Sequence, residues 1–242
     1  MNKIFSFRFG LAAVTATTTA AAQNGGSTSE PDRAAAAKPT IENAGSGRAI
    51  EIETRVGYGI PLGEIAPSYS IAEFAGAQVP FGFGIGYRLN PHLSAGVMMQ
   101  YGIVKRSDET QCVGLSMTCL ARDTRLGAAV HYRVSPDKSV SPWVGLGVGY
   151  EWFTVTSSSS IGAPYSARFN GVELANLEVG ADFKAAPGLA LGPYLSGSLD
   201  QFISTSHTEG YSTDFVGTTS IEEKAYHAWL MVGVRGTYDV GL

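Results

Sequence analysis

The residues able to do chemistry in this chain are mostly charged, and they recur at every second position of otherwise apolar or glycine-rich runs. Glu51, Glu53 and Arg55 open the series. Arg88, Arg125, Arg133, Glu151, Glu178, Asp182, Asp200, Arg235 and Asp239 continue it, with Asp123 and Lys184 in the same phase. Acids and bases interleaved on one face have two uses. They pair with one another and fill an interior with salt bridges and hydrogen bonds, or they line a gated path for ions or polar solutes. Burying them singly is too costly to be a third choice.

Nucleophilic chemistry has little support. His92-Leu93-Ser94 is the one His-x-Ser in the chain, and it follows Pro91 directly, where a turn is expected. His207 with Glu209, and His227, lie near the last long connection, but no Ser and acid stand at a recognisable spacing from either. The chain therefore predicts no catalytic residue, no cofactor and no metal ligand set. Cys112 and Cys119 are the only cysteines. In an exported chain such a pair reads as a disulfide, and closing so short a loop stabilises by roughly 2–3 kcal/mol. A metal would need more ligands, and no His lies near the pair.

The elements that carry these charges show a period of two. Val79, Phe81, Phe83, Ile85, Tyr87 and Leu89 are bulky, and every residue between them is Pro, Gly or Arg. Eight such segments follow one another from Arg48 onward. Their apolar positions begin with Ile50, Ile52, Val56, Tyr58 and Ile60. The third to fifth segments place Leu93 to Ile103, Leu126 to Val134 and Val144 to Trp152 in the same alternation. Leu177 to Phe183, Leu191 to Ile203 and Leu230 to Val240 complete the set. Alternation puts the two sets on opposite faces of a β-strand. An oily outer face and a small polar inner one suit a transmembrane β-barrel.

The connections alternate as well. Leu89–Leu93, Val134–Ser141 and Lys184–Leu189 are short and rich in Asn, Pro, Asp and Gly, whereas Pro61–Ala77, Lys105–Ala121, Thr156–Arg168 and Ser204–Ala225 are long. Short turns on one side and long loops on the other are the barrel pattern of periplasmic turns and outer loops. On that polarity Tyr87, Tyr132, Phe183 and Tyr238 fall near the short-turn rim. Tyr58, Tyr101, Tyr150 and Trp152 fall near the long-loop rim, giving two membrane-interface girdles.

With 242 residues, 30 glycines and 16% charged residues, the composition argues against both a disordered chain and a helix-rich enzyme. The net charge of −4 becomes −6 when residues 1–22 are removed, since Lys3 and Arg8 leave and no acid does. No basic stripe exists to neutralise phosphates, so nucleic acid is not an expected partner. Residues 1–22 read as a secretory signal: Lys3 and Arg8, a modest apolar stretch from Phe9 to Thr19, and Ala20-Ala21-Ala22 before Gln23. Residues 23–47 are low in aromatics and rich in Ala, Gly, Ser and Pro, and read as a flexible leader. Residues 48–242 form the expected barrel.

From Arg48 to Leu242 the chain resembles the small outer-membrane β-barrel family, which includes the OmpA transmembrane domain, OmpX and OmpW. The resemblance rests on pattern and not on a signature motif. It implies an all-β fold, an eight-stranded antiparallel transmembrane β-barrel in the outer membrane of a Gram-negative cell. Lipid and lipopolysaccharide are its implied surroundings, the barrel-assembly machinery its implied handler, and an extracellular ligand at the long loops an implied partner. Members usually end the last strand in Phe or Trp. Here Tyr238, Val240 and Leu242 keep the alternation, but the final residue is Leu. The implied role is structural or surface-interaction, in envelope integrity or loop-mediated binding, without enzymatic activity. The runner-up is a narrow channel or carrier for small or hydrophobic solutes. Lipid A deacylases use a His-x-Ser dyad on the outer side, and His92 and Ser94 fall at a predicted periplasmic turn. Omptin-like proteases need a larger barrel with facing Asp and His pairs. A soluble lipocalin-like barrel shows the same period but needs an outside rich in Lys, Glu and Thr, where this polar face is largely glycine.

Overall fold

The computed structural model describes residues 48–106, 117–159, 162–208 and 216–241. It is built almost wholly of antiparallel strands. In chain order these are β1 (Ala49–Ala66), β2 (Tyr69–Ser70), β3 (Ala75–Arg88), β4 (Leu93–Arg106), β5 (Met117–Arg133), β6 (Val140–Ser159), β7 (Gly162–Ala186), β8 (Leu189–His207), β9 (Val216–Ser220) and β10 (His227–Gly241). Each long strand pairs with its neighbours in sequence, from β1–β3 through to β7–β8. β10 then pairs with β8 on one side and with β1 on the other, so the pairing returns to its start. The short β2 and β9 are hairpin additions to β1 and β8 at the long-loop end. No helix among the described residues is long and apolar enough to cross a membrane, so any crossing uses strands.

The alternation sorts the faces as its period demands. Val148, Leu146, Phe83 and Val232 stand 57, 61, 56 and 56% exposed, while their neighbours Gly147, Glu151, Arg55 and Arg235 point inward and are buried. So large and continuous an apolar outer surface is unsustainable in water and is matched by hydrocarbon. The pairing register sets Tyr87 opposite Ile50, Tyr132 opposite Leu93, Phe183 opposite Val140 and Tyr238 opposite Leu189, all beside the short turns. Tyr101 pairs with Thr124 and Trp152 with Asn170, nearer the long loops, and Tyr150 packs on Trp152 with centroids 4.7 Å apart.

The short turns are built by local polar chemistry. Asn90 Oδ1 accepts from the amides of His92 and Leu93, both at 2.9 Å, and sets up the β3–β4 reversal. Gly188 sits at φ +76° between β7 and β8, a left-handed conformation that a side chain disfavours.

The strands outrun the expected connections. A crossing needs about 9–11 residues, whereas β6 has 20 and β7 has 25. The segment expected as a loop at 156–168 is therefore mostly paired hairpin, with Thr156 opposite Ser166 and Ser157 opposite Tyr165. Part of the expected Lys105–Ala121 loop is strand too. Cys119 stands in β5 opposite Ser157, which moves it out of the loop, and Cys112, with the disulfide expected between the two, lies outside the described residues. The 61–77 connection folds back over the barrel mouth. A 3-10 turn, Ile71–Glu73, is capped by Ser70 Oγ accepting from the Ala72 amide at 3.2 Å, and it drives Ile71 into the interior.

Candidate functional site

The inner faces of β1, β3, β5, β6, β7, β8 and β10 present their charges to a space only wide enough for side chains. They gather at two levels. At the level nearer the short turns, Arg55 forms a two-pronged contact with Glu178, Nη1 to Oε1 at 2.5 Å and Nη2 to Oε2 at 2.8 Å, while its Nε donates to Glu53. That fork is the strongest geometry available to a guanidinium and a carboxylate. Arg235 bridges Glu53 at 3.3 Å and Asp182 at 2.6 Å, with its guanidinium 3.5 Å over the Trp143 ring. Trp143 Nε1 donates to the other oxygen of Asp182 at 3.1 Å. Arg133 donates to Glu51, and Arg88 joins Glu51 (3.1 Å) to Asp239 at the rim.

Small residues make room for these groups. A Cβ on Gly233 would meet the Val56 carbonyl at 2.2 Å and the Tyr194 ring at 2.8 Å; that ring lies 5.4 Å from Arg55. On Gly180 a Cβ would strike the Trp143 indole at 2.5 Å. The glycines facing inward are thus the space into which Tyr194, Trp143 and the arginines fold.

At the level nearer the long loops one arginine serves four acids. Arg125 reaches Asp123 at 3.0 Å, Glu151 at 2.8 Å, Glu173 at 3.0 Å and Asp200 at 3.3 Å. Glu151 also accepts from Trp229 Nε1 at 3.2 Å and lies 2.7 Å from His227 Nε2. Asp123, Glu151 and Asp200 are completely buried. Beyond them comes an apolar cap: Ile65, Ile71, Ala75, Val104, Ala121, Phe153, Phe202, Trp229 and Met231 pack together inside the long-loop half.

Among the described residues, open space includes one mouth and two small gaps. A cavity of about 580 Å³ opens at the short-turn end, among Arg88, Arg133, Asp182, Lys184 and Asp239. Farther in, two voids of about 20 Å³ each lie along the glycine-lined wall, one beside Glu51 and His131, the other beside Arg125 and Glu173. Each has room for about one water molecule.

The structure brings the charged residues expected from alternation into these two levels, Glu51, Glu53, Arg55, Arg133, Glu178, Asp182 and Arg235 in one and Arg125, Glu151 and Asp200 in the other. Arg88 and Asp239 are partly buried at the rim, and Lys184 is exposed at the mouth. Three residues that alternation did not assign to the network belong to it. His227 was expected beside an outer loop, and it is 1% exposed inside the barrel. Glu173 falls outside the alternating segments, and it binds Arg125. His131 is drawn in as well, its Nε2 lying 3.1 Å from Glu178. The His92-Leu93-Ser94 motif is no dyad: His92 Nδ1 contacts the Arg133 carbonyl at 2.8 Å, and Ser94 is buried inside the barrel.

No protein-family model matches the chain, and no curated protein matches it in sequence. Solved structures do match. A major outer membrane protein from Thermus thermophilus aligns with a TM-score of 0.53 at 14% identity, covering 79% of this chain and 99% of that one. The chain has the fold of the small outer-membrane β-barrels. Neisserial surface protein A (TM-score 0.45, 12% identity, 82% of this chain and 99% of that one) is also similar. So is OprG from Pseudomonas aeruginosa (TM-score 0.46, 12% identity, 80% and 97%).

Proposed function

We propose that this barrel resides in the outer membrane of a Gram-negative cell and acts as a sealed, non-enzymatic scaffold for its long loops and for envelope integrity. The observation that carries this reading is the interior: two ion-paired levels and an apolar cap fill the bore in series. A sealed bore leaves the outer band and the loops as the working surfaces, since binding evolves on loops held by a rigid frame. The reading includes export by a signal ending at residue 22, a leader over 23–47, assembly by the barrel-assembly machinery, and lipid and lipopolysaccharide as neighbours. It also includes a Cys112–Cys119 disulfide near the loop end of β5, and an extracellular ligand at the long loops.

Planar-bilayer recording tests the sealed bore. The native protein should give little or no conductance, and neutralising Arg88, Arg125 or Arg235 should raise it. A large, stable conductance from the native protein would favour a narrow channel or carrier instead. Cell fractionation with a heat-modifiable gel shift tests the location, and recovery as a soluble periplasmic protein would overturn it.

A further inference from the structure

The two charged levels are not alike. The level nearer the short turns sets Glu51, Glu53, Glu178 and Asp182, with Asp239 at the rim, against Arg55, Arg88, Arg133 and Arg235, so it is nearly balanced. Among the described residues, the level nearer the long loops sets Asp123, Glu151, Glu173 and Asp200 against one arginine, Arg125, a formal charge of −3 from these five groups. Carboxylates buried in such excess must take up protons or gain another positive charge. Asp123 marks one point of that excess. Its side chain is fully buried and lies against the Glu151 carboxyl, and its Oδ1 accepts from no donor among the described residues.

We propose that Glu151, Asp200 and His227 hold a divalent cation inside the barrel. One ligand atom from each lies within 4.8 Å of the others, and all three residues are buried. Each is already held by neighbours, and a carboxylate oxygen so held keeps a second lone pair for a metal. Arg125 and Trp229 occupy Glu151 Oε1, so Oε2 is the oxygen turned to His227. Ser198 Oγ donates to Asp200 Oδ2 at 2.5 Å, and Arg125 reaches both oxygens of Asp200, at 3.3 and 3.4 Å. The imidazole of His227 is stacked on Phe202, centroids 4.1 Å apart and 20° from parallel. Glu151 and Asp200 thus have the outer partners that fix a metal's ligands, while His227 Nδ1 is buried with no partner among the described residues.

The donor set selects the ion. One imidazole nitrogen with carboxylate oxygens suits Zn²⁺ or Mn²⁺ better than Mg²⁺ or Ca²⁺, which prefer oxygen alone. Tetrahedral ligands at about 2.0–2.2 Å from zinc stand about 3.3–3.5 Å apart, so the His227–Glu151 pair must open by under ~1 Å. A bound divalent ion brings the level from −3 to −1. The proposal holds whether or not the barrel conducts, because it concerns the acid excess and not the seal.

Because the site is enclosed, the cation is loaded during folding. The test is refolding of the full chain into detergent with zinc chloride, or separately manganese chloride, followed by gel filtration and elemental analysis. About one equivalent of one of these metals should stay with the native barrel. Glu151→Gln and His227→Gln should each lower retention at least tenfold, and His131→Gln, at the other level, should not. Folding of every variant is read from the heat-modifiable gel shift, and Asp200→Asn replaces any variant that fails it. Native barrel that folds and retains neither metal overturns the proposal without reference to any variant. Equal retention in the native and ligand variants overturns it as well, by assigning the metal to surface groups.

Discussion

Replacing Arg55 with Met asks directly whether the bore is dry. Arg55 supplies both prongs to Glu178, at 2.5 and 2.8 Å, and a third contact to Glu53. In Arg55→Met, Glu53 keeps Arg235 at 3.3 Å, but Glu178 is left with His131 alone at 3.1 Å. Glu178 is 2% exposed, so bulk water does not reach it to replace the lost donors unless the bore is wet. Breaking a buried pair by removing one partner costs about 3–5 kcal/mol. An exposed pair is worth only about 0–1 kcal/mol. Equilibrium urea unfolding in lipid vesicles, followed by gel shift and tryptophan fluorescence, separates the two ranges. The double variant Arg55→Met/Glu178→Met should recover most of the loss, because an apolar replacement of a whole buried pair is often neutral or stabilising by about 1–4 kcal/mol. A single-variant cost below about 1 kcal/mol would refute the reasoning: the lumen would then be wet, and its ion pairs would work as surface pairs do.

Three further outcomes are expected. Val148→Arg, on a position 57% exposed on the outer face, should cost about 2–4 kcal/mol in folding titrations into lipid. Gly147→Ser on the inner face should cost far less, since an added Cβ comes no nearer than 3.1 Å to its neighbours; equal tolerance of both changes would reverse the faces. Phe153→Ala empties part of the apolar cap beside Phe202 and Phe169, and should cost about 3–5 kcal/mol in urea unfolding; a negligible cost would mean the cap is loosely packed. Reducing a Cys112–Cys119 disulfide should raise protease sensitivity at the loop end in intact cells and leave the gel shift of the folded barrel unchanged. Free labelling of both thiols in the unreduced protein would show that the bond does not form.

What the sequence made legible follows from its period of two, and what it hid follows from breaks in that period. Inward positions in β7 are odd as far as Glu173, with Gly171 buried too, and even from Asn176 through Glu178 to Asp182. The pairing with β8 shifts register between Glu173 and Ala175, and a bulge there turns the strand by one residue. Read as unbroken alternation, the stretch before Leu177 looks irregular, so Glu173 drops out of the interior. The same happens at the start of β3, where a shift between Ala75 and Ala77 puts both Ala77 and Gln78 inside.

The acid excess near the long loops was hidden for a different reason. Alternation says which face a residue takes, but not the height at which it meets residues from other strands. Height comes from stagger: Glu151 of β6 lies opposite Arg125, while His227 of β10 lies opposite Asp200 of β8. Only with both registers set do Glu151, Asp200 and His227 converge. A one-residue slip of either strand would send its member of the group to the lipid face. The outer face, being uniformly apolar, accepts many registers nearly equally. The interior accepts very few, because its arginines must find their acids and its large rings must find glycines. The polar interior is therefore the part of the sequence that selects one register, and the apolar exterior is the part that selects the membrane.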